Sequence, residues 1–118
     1  MSLLDSTQLA LESAMSGSML RQSLLSNNLA NANTPGYKPE DVNFQGTLQS
    51  AIQSGQPLDQ VSFKPYTTAQ TVSADGNGVS QEQQSAYLAE NGLLYQTLTQ
   101  VAAKRDSILL TAIGIGQN

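Results

Sequence analysis

Residues 26–38 read SNNLANANTPGYK, placing asparagine at 27, 28, 31 and 33 immediately before Thr34-Pro35-Gly36-Tyr37. Upstream, from Leu3 to Ala32, there is no proline and only Gly17 among the glycines. Apolar residues fall at 4, 11, 15, 25, 29 and 32, with 14, 19, 20 and 24 widening the stripe. That spacing predicts one long helix. Thr34 precedes a proline and is pushed out of helical geometry, and Pro35-Gly36 suits the centre of a type II turn, the glycine supplying a positive φ. The helix is therefore expected to stop near Asn33. Asn27 and Asn31, four apart, share a face while Leu25, Leu29 and Ala32 lie largely on another, which leaves those amides free to bond to a neighbouring chain. The plainer reading of the same residues is an ordinary helix exit in which asparagine is tolerated.

The first helix is a patchy one. Its seam slots at 8, 18 and 22 hold Gln8, Ser18 and Gln22, so it needs a partner to define its register. A second helix is expected after Asp75-Gly76-Asn77-Gly78, where Ser80 and Gln83 have the spacing of a capping box. Beyond it Tyr87, Leu94, Val101 and Ile108 recur every seven residues, with Leu98 and Ala112 between them and Leu88, Tyr95, Ala102 and Leu109 flanking. The intermediate slots also hold Asn91 and Arg105, polar groups that cost stability in a seam but set register or partner choice.

The middle differs in kind. Phe44, Leu48 and Ile52 predict a short helix closed by Gly55 and Pro57, and the β-branched and aromatic stretches Val61–Phe63 and Thr68–Val72 predict two short strands or extended arms. Too few apolar residues are present there for an independent core. The expected fold class is all-α: two long terminal helices forming an antiparallel coiled-coil-like hairpin, with a small irregular or β middle segment. The expected divisions are an assembly helix at 1–33, a turn, short helix and extended segment at 34–79, and a second assembly helix at 80–118.

Composition narrows the function. The chain of 118 residues has no Trp, two Phe and four Tyr, so the large rings that dominate most cores are scarce. Charged residues are 12% against the ~25% of an average domain, a surface that repels copies of itself weakly. With net charge −4 and Arg21, Lys38, Lys64, Lys104 and Arg105 mostly scattered, no basic track for nucleic acid exists. Without Cys or His, thiolate chemistry and the commonest metal ligand and general base are absent, and no cofactor or small-molecule substrate is expected. The first Lys or Arg is Arg21, so the amino terminus is expected to carry no cleavable secretory signal. The run Ile108–Ile115 falls far short of the ~20 residues that span a bilayer.

Read together, Leu25, Asn27, Asn28, Leu29, Asn31, Asn33, Thr34, Pro35, Gly36 and Tyr37 resemble the amino-terminal motif of the flagellar rod, hook and hook-associated axial proteins. Asp41–Phe44, Asn91-Gly92-Leu93-Leu94-Tyr95-Gln96 and Leu98-Thr99-Gln100-Val101 resemble its rod members in particular; residues 55–79 match less clearly. The resemblance implies a structural, non-enzymatic subunit of the periplasmic proximal rod. Its terminal helices would pack against copies of itself and other rod or adaptor proteins, after export by the flagellar type III apparatus without a cleaved signal. The motif and a carboxy-terminal seam of Tyr87, Asn91, Leu94, Tyr95, Leu98, Val101, Arg105, Ile108 and Ala112 are then the expected assembly residues.

Other readings carry less weight. A soluble helical adaptor or chaperone for export substrates would have the same helices but stay a folded monomer or closed dimer when dilute. Glu40 and Asp41 are adjacent carboxylates that point apart in most chains, and no constellation completes them as a glycosidase pair. Asp75–Gly78 lacks the later ligands of a calcium loop. Lys104-Arg105 reads first as a basic spot favoured by the helix dipole. Tyr37 and Tyr95 read as packing rings rather than ligand platforms. The apolar tail has no cationic face for lipid and is expected to bury against a neighbour.

Overall fold

A computed structural model describes residues 3–68 and 79–116. Helix α1 (Leu3–Ala30) and helix α3 (Gln81–Gly116) lie side by side. Between them come strand β1 (Glu40–Asp41), helix α2 (Phe44–Ser54), a 3-10 turn (Leu58–Gln60) and strand β2 (Tyr66–Thr67). The Cα trace extends 69 × 27 × 14 Å. With helices about 10 Å across, a layer that thin has no place for a helix covered on every side.

The heptad rhythm of α1 and the turn that follows it selects what is buried: Ser18, Leu25 and, just past the helix, Ala32 recur every seven residues and all lie inside, flanked by half-buried Ala14, Arg21 and Leu29. On α3 the inward row is Gln84, Asn91, Leu98 and Arg105, with Leu88, Tyr95, Ala102 and Leu109 beside it. Tyr87 and Leu94 sit half-buried on the flank, whereas Val101, Ile108 and Ala112 lie exposed. Within one chain the seam thus runs through the slots that carry Asn91 and Arg105, not through the more apolar row beside them. The two helices are antiparallel, since Asn28 meets Gln84 while Ser18, ten residues back, meets Asn91, seven residues on.

α1 ends at Ala30, three residues before the expected exit. The chain then tightens: Ala32 and Thr34 N–H groups donate to the carbonyls of Leu29 and Asn31, i to i+3 bonds that stop the helix from continuing. Asn31 Nδ2 donates to the Asn27 carbonyl at 2.8 Å, a second bond to an acceptor that already takes the Asn31 backbone N–H at 3.1 Å. Tyr37 N–H donates to Thr34 O, and Gly36 has φ +78°, the turn that Pro35-Gly36 predicts.

α2 is capped at both ends. Asn43 Oδ1 accepts from Gly46 N–H, and Gly55 at φ +74° closes the helix with its N–H directed at the last-turn carbonyls. Its buried face is Phe44, Leu48 and Ala51; Ile52 points outward. A Cβ on Gly17 would lie 2.6 Å from the Phe44 Cβ, so the lone glycine of α1 is the notch into which the Phe44 ring fits. Phe63 closes on that ring edge-to-face at 6.3 Å between centroids. Val61–Phe63 is therefore irregular chain held by a ring contact rather than a strand, and the β pairing falls elsewhere, Glu40 opposite Thr67 and Asp41 opposite Tyr66. Residues 69–72 of the second expected arm, and the Asp75–Gly78 turn, lie outside the described residues. At the start of α3, Ser80 Oγ accepts from Gln83 N–H, the first half of the expected capping box.

Candidate assembly surface

The asparagine motif is organised around Asn28, which is 1% exposed. Its Nδ2 donates to Glu40 O (2.8 Å) and Gln84 Oε1 (3.0 Å). Its Oδ1 accepts from Glu40 N–H (3.0 Å) and from the Tyr37 hydroxyl (3.4 Å). An amide side chain has two N–H donors and two acceptor lone pairs, and all four are used. Asn28 thus presents itself to Glu40 as a neighbouring strand would, while the opposite edge of the segment pairs with β2 through Thr68 N–H to Pro39 O. A two-residue ladder is marginal by itself. One side chain ties α1, β1, the Pro35-Gly36 turn and α3 into a single junction.

About two turns back along α1 stands a charged counterpart. Arg21 Nε and its second terminal nitrogen donate to the two carboxylate oxygens of Asp41 at 2.9 and 3.2 Å, and the guanidinium lies 5.3 Å from the centre of the Tyr87 ring. The Asp41 hydrogen bond, with the charges of Asp41 and Glu90, holds Arg21 more firmly protonated than usual, against the opposing effect of burial. Asp41 also accepts from Val42 N–H at 2.7 Å. The adjacent acids have thereby separated: Asp41 faces the helices, while the exposed Glu40 is held through its backbone. Seven residues beyond Gln84 on α3, Asn91 Nδ2 donates to Ser18 O (2.9 Å) and Gln22 Oε1 (2.8 Å), a second buried polar layer. Asn91 Oδ1 and Ser18 Oγ find no hydrogen-bond partner among the described residues.

Of the motif residues, then, Leu25 and Asn28 are buried, Leu29, Asn31 and Tyr37 are half-buried, and Asn27, Asn33, Thr34, Pro35 and Gly36 are exposed. Gln84 and Arg21 belong to the same junction although motif reading passes over them, and Asp41, read from sequence as the start of a rod-like segment, is their partner; that Arg21 is the lone cation of α1 is the one signal that marks it. Along α3 the apolar side chains left uncovered are Leu93, Val101, Ile108, Leu110 and Ile113, so the far half of that helix is greasy on more than one side. A helix of that kind is ordinarily buried. The described residues contain no helix long and apolar enough to cross a membrane.

A thin helical hairpin, locked by polar layers and apolar on its outer surface, is the architecture of a subunit that completes its packing in an assembly. Residues 9–38 match the family described as flagella basal body rod protein. The chain is 33% identical over 114 residues to the flagellar basal body rod protein FlgB of Aeromonas hydrophila, covering 85% of this chain and 86% of the relative. It is 36% identical over 106 residues to FlgB of Cereibacter sphaeroides (79% and 82%), and 30% over 112 residues to FlgB of Bacillus subtilis (85% and 87%). The chain belongs to the FlgB family of flagellar basal body rod proteins.

Proposed function

We propose that this chain is a structural subunit of the flagellar rod that polymerises through its two long helices into the tube transmitting torque. The observation that carries the reading is the uncovered apolar surface of α3, where Val101 is 43% and Ile108 57% exposed on a helix whose other face is already committed to α1. Burying such aliphatic side chains stabilises an assembly by about 1.5–3 kcal/mol each, and none of the described residues of the same chain covers them. Contacts between unlike surfaces on successive subunits build an open helical array when the rotation between neighbours does not close. The partners are copies of this chain and other rod or adaptor subunits, and the setting is the periplasmic rod reached through the flagellar type III apparatus. The motif from Leu25 to Tyr37 serves by fixing where α1 ends and how the middle segment leaves the hairpin, with Asn28 as its anchor.

The test uses residues that the hairpin does not need. A chain carrying Val101→Asp and Ile108→Asp should melt at the same temperature as the parent when dilute, yet fail to restore swimming and rods to cells lacking the native gene, while still being secreted. Normal swimming by that variant removes the proposal.

A further inference from the structure

Between α2 and the α1–α3 hairpin runs an open groove of about 370 Å³, with Leu94 and Leu98 at its floor and Phe44, Leu48 and Ile52 along its wall. Its other lining side chains include Gln45, Gln49 and Gln53, so no charge borders it. We infer that this groove receives the end of α3 from a second copy of the chain, Leu110 and Ile113 entering it. The inference rests on the rod-subunit reading and specifies one of its contacts.

Three features select that occupant. The groove has neither a charge nor a buried polar anchor to orient a small polar ligand, so it suits an uncharged apolar helix. From Ser107 to Gly116 α3 carries no charged residue, and Leu110 and Ile113, three apart and hence on one face, are 70% and 56% exposed. The third feature is geometric. Leu98 and Leu110 lie twelve residues apart on one unbroken helix, about 18 Å along its axis, so a chain cannot fill its own groove with its own tip. Tip and groove can meet only between copies, and because they are different surfaces the contact can repeat head-to-tail from one copy to the next.

Cysteine is absent from the sequence, which makes the contact directly testable. Chains carrying Ile52→Cys and chains carrying Leu110→Cys, both at exposed positions, are co-expressed in cells lacking the native gene, and isolated basal bodies are oxidised. The expected product is a disulfide-linked pair containing one chain of each kind, at least ten-fold over either like pair. Rods that form and turn normally while yielding only like pairs, or no link, overturn the inference and leave the rod reading intact. Absence of the parent chain from basal bodies would sink the rod reading instead, and the inference is then judged on the two purified full chains mixed at rising concentration by the same ten-fold criterion. Leu110→Asp should also weaken self-association of the purified chain at least ten-fold, with partial recovery on adding Ile52→Lys. Unchanged association in Leu110→Asp overturns the inference.

Discussion

Replacing Asn28 with alanine strips the junction of all its side-chain bonds at once. Gln84, 2% exposed, is left with a buried carbonyl oxygen lacking its donor, which costs about 1–3 kcal/mol. The two bonds to Glu40 are replaced at a segment water can reach, so each is worth about 0.5–1.5 kcal/mol, and the 3.4 Å contact with Tyr37 adds little. The loss totals about 2–6 kcal/mol, a large share of the ~5–15 kcal/mol that holds a typical domain folded. Asn28→Asp should be worse despite its near-identical shape. A carboxylate has no N–H to offer the Glu40 carbonyl or Gln84 Oε1, and it places a buried charge against two acceptors. The exposed neighbour provides the control, with Asn27→Ala changing stability by less than about 0.5 kcal/mol. Urea unfolding of the purified chain followed by far-UV circular dichroism measures all three. A coupling term from the cycle with Gln84→Met tests whether the two amides act together. Asn28→Ala unfolding within 0.5 kcal/mol of the parent would refute the view that this side chain holds the junction.

Gly17→Ala sets two effects against each other: alanine is favoured in a helix by about 1 kcal/mol, but its Cβ would meet three atoms of Phe44 at 2.6–2.9 Å, atoms that α2 holds in place. The clash should win, with a net loss of about 1–2 kcal/mol in the same unfolding assay; a more stable variant contradicts it. Asn91→Leu removes a buried amide whose oxygen finds no partner among the described residues, but it also strips Gln22 Oε1 and Ser18 O of a donor, so the midpoint of thermal unfolding should fall or stay level while the register of the hairpin loosens. Disulfide trapping across α1 and α3 should then yield pairs one heptad out of step, and strictly native pairs alone would count against a register role.

The long helices and their turn signals are legible in local chemistry. Absence of proline from Leu3 to Ala32, apolar recurrence at seven, the Thr34-Pro35-Gly36 stop and the Ser80 cap each act over a few residues, so neighbours in the chain carry the whole message. Which row of α3 faces α1 is another matter. Leu94, Val101 and Ile108 outweigh Gln84, Asn91 and Arg105 in hydrophobicity, and apolar spacing alone selects the former row as the seam. The hairpin selects the latter because Ser18, Gln22 and Asn28 stand on α1, and a buried amide on one helix needs its complement on the other. Likewise Asn28, rather than Asn27 or Asn31, is the buried member of its cluster for a reason twelve residues and a turn away, in the backbone of Glu40.

Residue order by itself therefore determined that this protein is two long helices with a stop, a spacer and a restart, poor in the material of a self-sufficient core. Tertiary structure alone decided the rotation of α3 about its axis, the notch at Gly17 for Phe44, the Arg21–Asp41 clasp and the apolar surface left over for other subunits. Helical periodicity follows from bonds four residues apart, whereas the choice of face follows from which polar groups find partners across a seam.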